Sequence, residues 1–317
     1  MLFILVSLGL LLLVAWLIEW RLYLNTRDGF FSRQADWHLT HPTPMPVLFI
    51  GNSRISWHVN MPQLVSHYKV PMYCLTTDAR SIPFFWYKFK TYIERNPLPK
   101  AIVLQCDLSS LTKNGMNQNT FYFKEKYLSY LLFDRLGINH YFENEKGYYA
   151  YETFIPLVRY IHFPEYALKH WRNERISPYA TPGNYGSKQV EPIPNFKLQA
   201  LNHANQLKKA SRVLEFNYID SFMDFCLKHD IRLLCIYPPQ SYASYQSSYA
   251  KYRQSFETYF QSRQLQNRHF SGPEFSADSL FVNHLHLNKN GSNLFTQQLI
   301  AYLDSLQIPS LLTKKGR

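Results

Sequence analysis

Cysteine is scarce in this sequence. The 317 residues hold four, Cys74, Cys106, Cys226 and Cys235, and no two stand as a Cys-x-x-Cys pair. That spacing speaks against a zinc site. Cys74, Cys106 and Cys235 lie in or beside apolar runs, where a free thiol packs as a small hydrophobe, so buried free cysteines are expected. Acidic residues are also short: 22 Asp and Glu against 34 Lys and Arg leave a net charge of +12. Such a surface favours anionic lipids, anionic polymers or nucleic acid. No finger, RNA-binding or helix-turn-helix pattern accompanies the charge, however, and charge alone gives non-specific attraction to nucleic acid. No specific nucleic-acid partner is expected. The chain has no convincing internal repeat.

What the sequence has in quantity is apolar and aromatic residues. Hydrophobic residues make up 46%, enough for a sizeable core in one large domain or two modest ones. Aromatics make up 17%, which suits an aromatic-filled core, stacking platforms for sugars, or a membrane-proximal surface. Residues 2–18 read LFILVSLGLLLLVAWLI without a charge, and Glu19-Trp20-Arg21 ends the run. About 20 apolar residues span a bilayer, so this is a near-minimal transmembrane anchor over residues 1–20 with an interfacial tryptophan. The competing reading, a cleaved signal peptide, wants a basic n-region and a small-residue cleavage site, neither clearly present. No Lys or Arg precedes the run, while Arg21, Arg27 and Arg33 follow it. The positive-inside rule then puts the following domain in the cytoplasm, although large domains are translocated despite flanking charge.

A polar stalk, residues 21–45, leads to the domain at 46–310. Four apolar runs read as strands: 47–50, 70–75, 101–106 and 231–237. Helical patterns fall at 84–96, 216–229, 247–265 and 291–306. Continuous apolar strands alternating with helices predict an α/β fold, with a parallel sheet covered on both faces in three layers, α/β/α. Residues 111–198 break the alternation and read as an aromatic-rich insertion of mostly helical pieces. In such sheets the site lies beyond the carboxyl ends of the strands. Ser53 stands just past the first strand and Asp107 just past the third. With a flavodoxin-like order 2-1-3-4-5 the two would face one crevice.

His286 completes the constellation. It lies on a loop just before the helix opened by Gly291, and a loop histidine there can serve a serine at the other end of the chain. Serine is a weak nucleophile until a positioned base takes its proton. Each residue also has a plainer reading: Ser53 as a turn or helix-cap residue, His286 as a structural loop histidine, Arg54 as a salt-bridging surface residue. His58 is a weaker alternative base, placed in the helix or turn after Ser53. His284 and His286 lack a third ligand cluster for a metal, so neither metal nor cofactor is expected.

Gly51-Asn52-Ser53-Arg54 after a strand resembles the first block of the SGNH (GDSL-like) hydrolases, and Asn283-His284-Leu285-His286-Leu287-Asn288 with Gly291 resembles their last block. The helix-strand-proline unit ending in Pro238-Pro239 resembles the segment between them. The resemblance covers roughly residues 46–110 and 215–305 and omits the insertion. It implies Ser53 as nucleophile and one oxyanion donor through its own N–H, His286 as general base, and Asn283 as orienter of the base. Arg54 is a candidate substrate clamp, and Asp107 orders the loop or binds a substrate hydroxyl. Two departures stand out. Asn283 replaces an aspartate, and an asparagine carbonyl accepts a ring N–H but brings no full charge to an imidazolium. The second and third blocks read Thr77-Asp78-Ala79-Arg80-Ser81 and Gln105-Cys106-Asp107-Leu108-Ser109, without the usual glycine and Gly-x-Asn donors.

The resemblance implies a serine-dependent O-acyl ester hydrolase or O-acyltransferase acting on an acylated glycan or envelope polymer. It would sit in a bacterial inner membrane as a single-pass protein, its domain outside the cytoplasm, with a membrane acyltransferase as a possible partner. The alternative is a catalytically degenerate binding or assembly protein on the same fold. A third reading is a membrane-surface lipid-binding protein.

Overall fold

The computed structural model describes residues 6–18, 45–76, 82–94, 96–111, 214–265, 267–270 and 275–307. The chain divides into two compact units, residues 1–37 with 116–182 and residues 38–115 with 183–317. Of the first unit only residues 6–18 are described. They are helical, and Val6, Leu8, Leu10, Leu11, Leu12, Leu13, Val14 and Leu17 are exposed. Among the described residues no helix is long and apolar enough to cross a membrane, so the transmembrane helix expected at 1–20 has no support here; its two ends lie outside the described residues. The insertion expected at 111–198 also lies outside them, apart from Leu111.

The second unit is an α/β fold. Five strands, β1 (Val47–Gly51), β2 (Met72–Thr76), β3 (Ala101–Gln105), β4 (Arg232–Tyr237) and β5 (Asn267–His269), form one sheet in the order β2-β1-β3-β4-β5. All four pairings are parallel. Its longer helices are α1 (Ser53–His58), α2 (Met61–Tyr68), α3 (Ile82–Ile93), α4 (Asn217–Lys228), α5 (Tyr242–Ser262) and α6 (Lys289–Ser305), with single helical turns at Leu108–Leu111 and Asp278–Leu280.

Side chains alternate across a strand, so one apolar run supplies two cores. Leu48 and Ile50 of β1 face a cluster with Phe85 and Phe89 of α3, Phe222 of α4 and Phe256 of α5. Val47 and Phe49 face the other way, against Leu64 of α2 and Phe295 and Leu299 of α6. Aromatic rings pack closely in the first of these: Phe89 lies 5.5 Å from Phe222 and Trp86 lies 4.9 Å from the same ring, between centroids. The four cysteines are free and buried, as their apolar surroundings suggest.

Three elements differ from the sequence expectation. β5 was not foreseen, because Asn-Arg-His at a sheet edge carries no apolar run. α2 escaped notice as well. Its start is fixed by the side chain of Asn60, which accepts from Gln63 N–H, and by Pro62 in its first turn. α5 begins at Tyr242, five residues before the expected 247, directly after Pro238-Pro239 and the N-cap Ser241.

Candidate active site

The strand-to-helix turn at Ser53 is built by three neighbours. Gly51 ends β1, and a Cβ there would collide with Ile55 and Gln105. This close approach lets the Gln105 side chain accept from Asn52 N–H at 2.9 Å. Asn52 is extended and caps α1, its side-chain oxygen accepting from Arg54 N–H at 3.0 Å. Ser53 is therefore the first helical residue, part-exposed at the carboxyl end of β1, where parallel sheets place their sites.

His286 lies in the loop between Phe281 and Leu287, which are joined by an antiparallel bridge. Val282 N–H donates to His286 O at 2.8 Å and closes the loop on itself. The Asn283 carbonyl oxygen accepts from the backbone N–H groups of Leu285 and His286, both at 2.9 Å. Two backbone donors on one atom fix which end of the amide faces them: it must be the oxygen. The same oxygen lies 3.1 Å from His286 Nδ1, so Nδ1 carries a proton and donates to it. Nε2 is then the bare nitrogen, and it lies 2.8 Å from Ser53 Oγ. A hydroxyl that donates to an acceptor ring nitrogen is the geometry of a serine with its general base. Ser53, His286 and Asn283, singled out in the sequence, are thus one hydrogen-bonded line across 233 residues of chain. The Trp57 ring stands beside His286, 5.2 Å between centroids.

Arg54 and Asp107 are placed differently from a pair of substrate contacts. Arg54 is 2% exposed and Asp107 is 0% exposed. The salt bridge read as a surface feature exists, but it is buried: Arg54 Nη1 donates to Asp107 Oδ2 at 2.5 Å. Arg54 Nη2 donates to the carbonyls of Pro238 and Pro239, the latter at 3.0 Å. Asp107 also accepts from Gln105 Nε2 and Ser109 Oγ, both at 2.6 Å, and from Ser110 N–H at 2.9 Å. The network links the Ser53 turn to the ends of β3 and β4. Charge pairing explains how an arginine can lie in this interior. Asp107 thus bonds three residues of its own strand end and loop, Gln105, Ser109 and Ser110.

Sequence reasoning passed over the structural part played by His58. It is 0% exposed, and its Nε2 lies 2.9 Å from Leu285 O. Burial first, then the Arg54 charge and His286, hold its pKa well below 6.5. Among the described residues no group of three His, Cys, Asp or Glu is arranged to hold an ion. The second-block residues 77–81 lie outside the described residues.

No protein-family model matches the chain, and no curated protein matches it. Among solved structures, the chain is similar to a candidate acylhydrolase from Bacteroides fragilis, at 10% sequence identity and a TM-score of 0.42. The match covers 86% of this chain and 94% of that one. A likeness this distant assigns no family, and the chemistry rests on the geometry above.

Proposed function

We propose that the chain is a serine-dependent O-acyl ester hydrolase or O-acyltransferase. The observation that carries this reading is the 2.8 Å contact between Ser53 Oγ and the bare Nε2 of His286, with Nδ1 held by Asn283. In the first step Ser53 Oγ attacks an ester carbonyl carbon while its proton passes to His286 Nε2. The tetrahedral oxyanion collapses, the C–O bond to the alcohol breaks, and His286 returns the proton to that oxygen. An acyl-serine remains. Water or a second hydroxyl then attacks it with His286 as base again, giving hydrolysis or transfer. The Ser53 N–H begins a helix and has no intrahelical acceptor, so it is available to the oxyanion.

We take the substrate to be an acylated envelope glycan or polymer. The net charge of +12 suits an anionic polymer, and the apolar residues 2–18 suit a bilayer anchor in a bacterial inner membrane, with the domain outside the cytoplasm. A membrane acyltransferase would be a natural donor partner for the transfer reaction.

The second reading, a binding or assembly protein that retains the fold, is favoured by one observation. Asp107 is fully buried against Arg54 and offers no donor to an oxyanion. The two readings separate with p-nitrophenyl acetate as substrate and the full chain in detergent. The enzyme reading expects turnover that falls by roughly 100-fold or more in Ser53→Ala and in His286→Ala. Wild-type turnover no faster than either variant refutes it and leaves the binding role.

A further inference from the structure

Ser53 and His286 come from opposite ends of the chain and must meet within a few tenths of an ångström. Asn283 ties the base loop to itself. Ser241 N–H ties it to the β4 side, donating to His284 O at 3.2 Å. A third tie runs to the helix that carries the nucleophile, and it comes from His58.

His58 is the last residue of α1, and Ser53 is the first. Its ring nitrogen Nε2 faces a carbonyl, Leu285 O, at 2.9 Å, so Nε2 bears the proton and donates. Leu285 is the residue immediately before His286. The other ring nitrogen, Nδ1, is buried and has no hydrogen-bond partner among the described residues. The ring packs edge-on to Phe295 of α6, 6.1 Å between centroids, and edge-on to His286 at 6.3 Å. The His58 backbone carbonyl accepts from Ser292 Oγ at 3.0 Å, so α6, which follows the base loop, is tied to the same residue. One residue thus bonds the chain on both sides of His286.

We propose that His58 is a positioning residue: it docks the base loop onto the nucleophile helix through Leu285 O and so sets the Ser53–His286 distance. The catalytic consequence rests on the hydrolase reading above; the docking does not. A neutral donor suits this place better than a charged one. A proton on His58 would put a second positive charge beside Arg54 and beside the imidazolium that His286 must become. The dry, partnerless side of the ring at Nδ1 keeps that proton off. Glutamine can present an uncharged N–H near the position of Nε2, and phenylalanine can fill the ring's volume without one.

The test uses the full chain with His58→Phe and His58→Gln, and reads two quantities. Labelling of Ser53 by a fluorophosphonate probe reports on the catalytic pair. Amide hydrogen exchange, read by mass spectrometry over residues 283–288, reports on the docking. In H58F the labelling rate should fall roughly 10- to 100-fold, with kcat for p-nitrophenyl acetate lowered and KM unchanged. Exchange over 283–288 should rise while β1, β3 and α6 stay protected. H58Q should recover both readouts to within about threefold of wild type. Three results would overturn the proposal: H58F matching wild type in exchange, H58Q as defective as H58F, or protection lost throughout the sheet, which is a general folding role. A wild type that never labels removes the hydrolase reading alone, and the exchange over 283–288 still decides the docking.

Discussion

Replacing Arg54 should be costly out of proportion to its size. The side chain is 3% exposed and its partner carboxylate 0% exposed. Arg54→Met keeps the aliphatic volume and removes the guanidinium. Asp107 is then left buried without its counter-charge, with only Gln105, Ser109 and the Ser110 amide as donors. Removing one partner of a buried pair typically costs 3–5 kcal/mol, because the survivor is left uncompensated, so a loss of about 4 kcal/mol is expected. Asp107→Asn leaves Arg54 bonded to the Pro238 and Pro239 carbonyls and should cost somewhat less, about 3 kcal/mol. The double variant removes both charges together. It should cost well under the sum of the two, with a coupling of about 3 kcal/mol. The assay is urea denaturation followed by tryptophan fluorescence, since Trp57 and Trp86 both belong to this unit. Arg253→Ala, which breaks the exposed pair with Glu257, is the control and should leave the midpoint where it is. Additive losses in the double variant would refute the reasoning, because they mean that neither charge depends on the other.

Asn283 should orient His286 without charging it. Asn283→Ala should slow p-nitrophenyl acetate turnover about tenfold, and Asn283→Asp should move the acid limb of the rate profile to higher pH, since a carboxylate favours imidazolium; an unmoved limb in the Asp variant contradicts this. Acid should weaken the fold. Burial is the main cause that pushes His269 down to about 4, and His58 and His284 are lowered too. Unfolded histidines take a proton near pH 6.5 and these do not, so stability is complete above about 6.5 and falls as the pH drops toward the folded values. His269 alone accounts for roughly 3 kcal/mol by pH 4, and calorimetry should show a falling Tm between pH 7 and 5 that His269→Phe makes shallower. The thiols should be inert in the native chain. Burial pushes Cys226 up to about 12, which leaves roughly one thiolate in 10,000 at pH 8, and Cys74 and Cys106 are raised as well. A disulfide reagent should count no thiol in buffer and four in guanidinium, and prompt native reaction would show an opened core.

Sequence pattern carried the sheet well where a strand is covered on both faces. β1 and β4 are apolar throughout their buried parts and β3 is apolar up to Gln105, and an apolar run is the mark of such a strand. β5 was invisible for the converse reason: it is three residues at an edge, and its pairing with β4 is a tertiary fact. The pairing of Ser53 with His286 was legible because each follows local punctuation, a strand running into a capped turn and a loop running into a helix. The burial of Arg54 was not legible. Arginine is ordinarily exposed, and what draws it inward is a carboxylate 53 residues away and two proline carbonyls more than 180 residues away. The tie from His58 to Leu285 was hidden likewise, because a backbone carbonyl leaves no trace in sequence.

The most direct test of the account is the site of covalent labelling. The full chain is treated with a fluorophosphonate, digested, and mapped by mass spectrometry. The geometry predicts one adduct, on Ser53, absent in Ser53→Ala and slowed in His286→Ala. An unlabelled wild type, or an adduct that survives Ser53→Ala, contradicts the assignment of Ser53 as a nucleophile served by His286.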